Sequence, residues 1–437
     1  MTGLLTDLYE LTMAAGYFEA GKVAQTATFE LSIRRLPNHR NFVLATGLAQ
    51  CVEYLLNLRF TSEEIAYLRG LPQFALVSPK FFEYLRDFRF TGDLFAAPEG
   101  TPLFAGEPML TVRAPLIEAQ IPETYLLSAI TFQSLIAAKA ARMVEAGGER
   151  DVVEFGTRRA HTPEAGVLGA RAAYLGGCAG TSNALAGMRY GIPVFGTAAH
   201  SWVLSFTSEM ESFRQLQKLL GPHTVQLIDT YDTLEGARRA AELGKPLWGV
   251  RLDSGDVISL ARTVRSILDE AGLRETKIMA TGDLDEYRIR DIVAAGAPVD
   301  AFGVGTELAT SADAPSMGTV YKLVELDISG IKRFTAKFSE HKESLPGAKQ
   351  LFRLPDHDVL GRAAECCGGS QALLRPVILG GRLIEELPKA DTARAHALES
   401  LALLPSEFRS LEPAAPRRLE YSKDLTALIE RTRRNLA

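Results

Sequence analysis

From residue 151 onward the chain alternates short apolar runs with amphipathic stretches, and no other feature restricts its fold as tightly. Runs beginning near Asp151, Ile192, Val225, Leu247, Lys277, Ala301 and Val320 have strand length and turn residues at their borders. Helical periodicity fills most of the intervals, over 163–175, 208–220, 233–243, 256–271 and 285–295. Thr162-Pro163 reads as a helix start and Gly176-Gly177 as a helix end. Strands that alternate with helices form a parallel sheet with right-handed crossovers. No sequence repeat underlies the alternation.

The residues just past these runs decide between an open sheet and a closed one. In chain order the carboxyl ends carry Glu154-Phe155-Gly156-Thr157-Arg158-Arg159, Thr197 to Ser201, Asp229-Thr230-Tyr231-Asp232, Arg251-Leu252-Asp253-Ser254, Gly282-Asp283 and Gly303-Val304-Gly305-Thr306. An open doubly wound sheet needs reactive groups only at its switch point, whereas every loop of a barrel converges on one mouth. The fold class predicted is therefore α/β, with an irregular TIM-like α/β barrel.

Ile192–Phe195 reads as a short buried strand, Gly196-Thr197 as a bend, and His200 and Ser201 as groups just past the strand's end. An isolated histidine there more often caps a loop; the reactive company at the other strand ends favours chemistry. Gly303-Val304-Gly305-Thr306 has the glycines and hydroxyl of a phosphate loop, late in the strand series where barrels bind phosphate. It is neither G-x-G-x-x-G nor a Walker A sequence. Arg251 and Asp253, two apart on one strand, face the same side. They form either a buried salt bridge or a carboxylate clamp beside an acid that orients a histidine or takes ribose hydroxyls. A serine hydrolase is excluded: no G-x-S-x-G occurs, and Ser201 directly follows His200.

The earlier residues read differently. Thr6 is placed to cap a helix from Asp7 to about Ala20, closed by Gly21, with Tyr9 in its first turn. By periodicity alone Tyr9 is a half-buried packing residue. Residues 27–33 alternate as a half-buried strand should, and the basic loop Arg34 to Arg40 is either solvated or a phosphate contact. Thr61-Ser62-Glu63-Glu64 has capping-box spacing, and Ser78-Pro79 starts another helix. Glycines and prolines punctuate 91–115 as a small β-rich element, and a long helix follows from about Glu123 to Ala146. The domains expected are an N-terminal α/β domain over 1–146, completed by part of 330–437; the barrel with the active site over 147–329; and a C-terminal segment over 330–437.

Composition narrows the partners. A net charge of -5 and the absence of a basic-aromatic stripe argue against nucleic acid. No apolar run reaches membrane-span length, and residues 1–20 lack a signal peptide's core. Four cysteines without a C-x-x-C pair argue against zinc and point to a reducing compartment, the cytoplasm.

Taken together, these residues resemble the nicotinate phosphoribosyltransferase family, a type II phosphoribosyltransferase family. The match runs from Thr6-Asp7-Leu8-Tyr9 through Phe88-Arg89-Phe90-Thr91-Gly92-Asp93, Pro115-Leu116-Ile117-Glu118, Glu154-Phe155-Gly156 and Gly180-Thr181-Ser182-Asn183. It continues through Ala199-His200-Ser201-Trp202, Asp229-Thr230-Tyr231-Asp232-Thr233, Arg251 to Asp256, Phe302 to Thr306, Val320-Tyr321-Lys322 and Leu345-Pro346-Gly347. Residues 355–437 carry little of it. The resemblance implies transfer of phosphoribose from 5-phosphoribosyl 1-pyrophosphate (PRPP) to nicotinate, giving nicotinate mononucleotide and pyrophosphate for NAD biosynthesis. It also implies coupling to ATP hydrolysis, Mg²⁺ held through substrate phosphates, and a homodimer with shared active sites. By the same resemblance His200 is the phosphorylated histidine, with Asp253 and Asp283 as catalytic carboxylates. Tyr9 reaches nicotinate from the partner subunit, joined by Phe155, Thr197 and Arg251. PRPP or phosphate falls to Arg158, Ser201, Gly303, Gly305 and Thr306.

The chemistry suits these residue types. Positive charge develops on the ribose as the pyridine nitrogen attacks, and carboxylates stabilise it. Two aromatic rings sandwich a flat heterocycle, and a guanidinium favours the acid over the amide. A neutral imidazole attacks a γ-phosphate, with an aspartate, Asp253 for preference, fixing its tautomer. Two departures bear on pyrophosphate and ribose contacts: His161 stands where the family often has Gln, and Thr281-Gly282-Asp283 replaces the more usual Ser-Asn-Asp or Ser-Gly-Asp. The rival readings are a nicotinamide-preferring relative, a silent binding protein, and a sugar-phosphate lyase or isomerase. The last predicts a strand-end lysine or acid-base pair that the sequence does not show.

Overall fold

A computed structural model describes residues 2–339 and 343–436. The chain divides into two compact units. One comprises the residues up to Ser134, Ser316–Pro388 and the residues from Ala414 on; the other comprises Leu135–Pro315 and Lys389–Pro413. The division falls inside the helix Glu123–Gly147, not at its end, because Gly147 and Gly148 terminate a helix without separating two cores. The C-terminal residues are shared between the units. In the second, Arg394 on the helix Ala390–Ala402 donates to the Gly177 and Cys178 carbonyls at 3.0 and 3.3 Å.

In the first unit a seven-stranded sheet runs Ile331–Phe334, Gly318–Ile328, Thr26–Arg35, Pro108–Pro115, Asp93–Ala96, Arg375–Leu379, Arg382–Leu383, with antiparallel neighbours. Thr26–Arg35 lies inside the sheet and is buried on both faces, contrary to the half-buried strand its alternation predicts. Glu30 on the polar side is buried because the Lys349 ammonium meets it at 3.1 Å. The capping box at Thr61 and Glu64 forms as its spacing predicts. Thr6 does not cap: Asp7 holds the N-cap position of the helix Leu8–Glu19, and the Thr6 hydroxyl donates to the Ile121 carbonyl at 3.0 Å.

The second unit holds six parallel strands. In space they run Gly180–Thr181, Asp151–Glu154, Ala301–Val304, Lys277–Ala280, Gly249–Leu252, Val225–Leu227. Chain order therefore goes round the set, and the first strand pairs with the last, Val153 opposite Gly303. A doubly wound sheet does not do this; the order is that of an irregular α/β barrel with one open seam. The predicted helices fill the crossovers as Pro163–Leu175, Glu209–Leu220, Thr233–Leu243, Val257–Glu270 and Glu286–Ala294.

Ile192–Phe195 is not the buried strand its apolar run predicts. Only Val194 makes a bridge, to Thr181, and Val194 and Phe195 are 53% and 42% exposed. Pro193 supplies a carbonyl to Thr181 N–H at 3.0 Å but has no N–H to return. The seam lies between this segment and Val225–Leu227. Gly180–Thr181, too short to show periodicity, is the strand the sequence leaves unmarked.

Candidate active site

The strand ends of the second unit converge as the barrel argument requires. Phe155, Arg158, Thr197, His200, Arg251 and Asp253 line one cavity of about 560 Å³. Below it a second cavity of about 380 Å³, with Val153, Trp248 and Met279 in its walls, shares Phe155 and Thr197 with the first. The Phe155 ring is held from behind by Gly303, where a Cβ would come within 2.7 Å of its Cδ2. Packing of that ring is thus one physical demand for glycine at 303, beside the anion approach expected from the sequence.

His200 opens the short helix His200–Leu204, anchored by buried Val203 and by Trp202 Nε1 donating to the Ser212 carbonyl at 3.2 Å. Its Nε2 lies 3.2 Å from Asp229 Oδ1. Asp229 has only 1% of its side chain exposed, and its Oδ2 accepts from Ser254 Oγ at 2.6 Å and Asp253 N–H at 3.2 Å. Asp229, not Asp253, is thus the carboxylate that fixes the imidazole. The sequence contains a clue. Asp232 stands three before Glu235 and caps the helix Thr233–Leu243, accepting from Glu235 N–H at 2.8 Å, which leaves Asp229 free for other work.

Arg251 and Asp253 form the salt bridge that their spacing allows. Arg251 Nη2 meets Asp253 Oδ1 at 2.6 Å, and both line the cavity. Arg251 Nη1 donates to the Thr197 hydroxyl at 2.7 Å and Nε to the Thr281 hydroxyl at 2.8 Å. Burial alone would raise the Asp253 carboxyl, but the Thr281 hydroxyl and the Arg251 guanidinium outweigh it and hold it below the ordinary range. Next to it, Gly282 has φ +91°, and a Cβ there would fall 2.1 Å from the Asp253 carbonyl oxygen.

Glu154 is a further residue that residue-by-residue reading missed as a functional group. It is buried at the end of its strand, accepts from the Thr181 hydroxyl at 2.5 Å and from Gly156 N–H, and so ties the Phe155 turn to the neighbouring strand. Burial pushes its carboxyl up against the pull of those two donors.

Ser201, Asp283, Gly303, Gly305 and Thr306 are not among the residues that line the 560 Å³ cavity. Asp283 is exposed, with φ +47°, and its carbonyl accepts from Arg288 Nη1 at 3.0 Å. Thr306 is exposed at the start of the helix Thr306–Ala309. Tyr9 belongs to the first unit and is 49% exposed, half-buried as its periodicity predicts. Among the described residues no group of three or more His, Cys, Asp or Glu side chains could hold a metal ion, and no helix is long and apolar enough to cross a membrane.

Comparisons with known proteins point to one family. Family models for the nicotinate phosphoribosyltransferase N-terminal domain and for the nicotinate phosphoribosyltransferase family match residues 4–131 and 151–337. The chain is 47% identical over 421 residues to a nicotinate phosphoribosyltransferase of Mycobacterium tuberculosis, covering 94% of this chain and 89% of that one. It is 43% identical over 360 residues to the Bacillus subtilis protein of that name, covering 80% and 73%. A crystal structure of human nicotinic acid phosphoribosyltransferase superposes with a TM-score of 0.86 at 31% identity, covering 98% of this chain and 99% of that one.

Proposed function

The chain belongs to the nicotinate phosphoribosyltransferase family, and on that premise we propose how its cavity carries out an ATP-coupled transfer of phosphoribose to nicotinate. The observation that carries the proposal is the convergence of His200, Arg251, Asp253 and Phe155 on one opening. Phe155 supplies a flat face for the pyridine ring. Arg251 and Thr197, already bonded to each other, offer donors to the carboxylate, which favours the acid over the amide. The ring nitrogen attacks ribose C1, the C1–oxygen bond breaks, and pyrophosphate leaves with that electron pair. Asp253, ionised beside Arg251, stabilises the positive charge that develops on the sugar. Asp283 would hold the ribose hydroxyls or the Mg²⁺ that accompanies the substrate phosphates, and Arg158, Ser201, Gly303, Gly305 and Thr306 serve the phosphates.

His200 takes the γ-phosphoryl group of ATP. A proton on Nε2 shared with Asp229 leaves Nδ1 as the nucleophile; the phosphorus–oxygen bond to ADP breaks as the nitrogen–phosphorus bond forms. Water later cleaves the phosphohistidine. Magnesium would enter with the substrate phosphates; among the described residues no cluster of three or more His, Cys, Asp or Glu forms a cage for a resident ion. The protein works as a cytoplasmic homodimer in which Tyr9 reaches the partner subunit's nicotinate.

The test is ATP-dependent phosphate labelling followed by mapping. Label on His200 is the expected result; label elsewhere, or none under turnover, overturns the phosphohistidine. Parallel assays with nicotinate and nicotinamide test the choice of acid. Mixed Tyr9→Ala and His200→Ala chains should recover activity in heterodimers if the sites are shared, and verified heterodimers without recovery would refute sharing.

A further inference from the structure

Thr281 stands behind the active-site cavity and is not among the residues of its wall. It follows the strand Lys277–Ala280 and is 4% exposed. A buried threonine hydroxyl has one proton to give and lone pairs to accept with. The Leu252 carbonyl lies 3.2 Å away, but it already takes the Thr281 backbone N–H at 2.8 Å. The hydroxyl faces an ion pair as well. It accepts from Arg251 Nε at 2.8 Å and donates to Asp253 Oδ1, the same oxygen that Arg251 Nη2 meets at 2.6 Å.

These three groups form a closed triangle of contacts. The ionised carboxylate is a stronger acceptor than the carbonyl, so the hydroxyl proton goes to Asp253. The side edge of the guanidinium, Nε with Nη2, is thereby closed by Thr281 and Asp253. Two partners on one edge fix the plane of a guanidinium, as a bidentate carboxylate would. Its end, Nη1 with Nη2, retains donors for a ligand. The threonine methyl has a contact of its own. A Cβ at Gly303 would fall 2.6 Å from Thr281 Cγ2 and 2.7 Å from Phe155 Cδ2, so methyl and ring converge on one glycine.

We propose that Thr281 is a positioning residue: its hydroxyl, accepting from Arg251 Nε and donating to Asp253, sets the plane in which the guanidinium meets the nicotinate carboxylate and holds Asp253 at the sugar. This deepens the reading that Arg251 holds that carboxylate, and rests on it. Thr281 touches no ligand itself; it acts through two side chains that line the cavity. Its backbone bond to Leu252 survives any change of side chain, so the hydroxyl can be removed without undoing the strand pairing.

Steady-state kinetics of the full chain with nicotinate and with nicotinamide test this. Thr281→Val keeps the shape and removes the hydroxyl. It should raise KM for nicotinate by about 10- to 100-fold, the scale of one buried donor left unpaired. It should also lower kcat through Asp253 and narrow the acid-to-amide ratio of kcat/KM. Thr281→Ser restores the hydroxyl and should return that ratio to the wild-type value. Combined with Arg251→Lys, Thr281→Val should add less than its separate effect, since both disturb one contact. An unchanged ratio in Thr281→Val, whatever its thermal stability, overturns the proposal. So does an equal loss in Thr281→Ser, or full additivity in the double variant. Thr281→Ala carries the same test if the valine chain does not fold. Arg251→Lys separates the two readings. If it leaves the ratio unchanged, the assignment of Arg251 to the carboxylate fails and the role of Thr281 fails with it. If it narrows the ratio while Thr281→Val does not, only the role of Thr281 fails.

Discussion

His200 Nε2 stands 3.2 Å from Oδ1 of Asp229, a carboxylate 29 positions away that is almost wholly withdrawn from solvent. The imidazole is 43% exposed while its partner is 1% exposed, so the pair has a buried end that fixes orientation and an open end that can react. Asp229 is itself pinned by Ser254 and the Asp253 N–H, which makes it a rigid support.

Removing that support should cost coupling more than binding. Asp229→Asn is expected to lower the ATP-stimulated rate by about 10- to 100-fold, the usual effect of losing the group that orients a working imidazole. His200→Ala should abolish ATP stimulation altogether and leave slower, ATP-independent transfer. Rates with and without ATP measure both; an Asp229→Asn enzyme with full stimulation would remove Asp229 from the mechanism.

Arg251 is tied to Thr197, Thr281 and Asp253 through three nitrogens, a planar pattern that an ammonium group cannot copy. Arg251→Lys should raise KM for nicotinate by about 10- to 100-fold, as expected for a lost charge-assisted bond of about 1.5–3 kcal/mol. The acid-to-amide preference should narrow at the same time. An unchanged preference between nicotinate and nicotinamide would show that discrimination lies elsewhere.

A buried ion network joins the helix Glu123–Gly147 to the start of the helix Glu286–Ala294. Lys139 is 1% exposed and pairs with Glu286 and with Asp313, the latter at 3.0 Å, while Arg142 Nε meets Glu286 Oε1 at 2.8 Å. Burial opposes the Glu286 charge, but Lys139 and Arg142 hold its carboxyl below the ordinary value of 4.5. A depressed carboxyl stabilises the fold above its unfolded pKa, and that stabilisation is lost as pH falls through the lower folded value. Lys139→Met should cost about 3–5 kcal/mol at neutral pH by leaving Glu286 undercompensated. Its deficit against the wild type should shrink below about pH 4. Denaturant melts at pH 7 and pH 4 give both numbers, and a deficit that grows in acid would contradict the assignment.

Gly282 has φ +91°, and a Cβ there would overlap the Asp253 carbonyl. Gly282→Ala should therefore displace Asp253 and reduce kcat by about 10²-fold, the scale of a ~1 Å misplacement. Thermal unfolding would show a folded chain with a smaller loss, and a variant with native kcat would mean the loop yields without moving Asp253.

The sequence by itself determined the α/β class, the order of the main barrel strands, and the family. Those are local or additive signals: periodicity marks each element, and a strand's carboxyl end is marked by the residues that follow it. It likewise picked out His200, Arg251, Asp253, Thr197, Arg158 and Phe155, which the fold gathers round one cavity. Tertiary structure alone decided which groups touch. The sequence reading preferred Asp253 as the aspartate for His200, yet the imidazole lies against Asp229, and Asp253 Oδ1 takes Arg251 and Thr281 instead. Pro193 turned an apolar run into an open seam, and Glu10 met Gln120 across 110 positions. Such pairings depend on how separate elements pack, and packing brings together side chains whose distance along the chain carries no record of their distance in space.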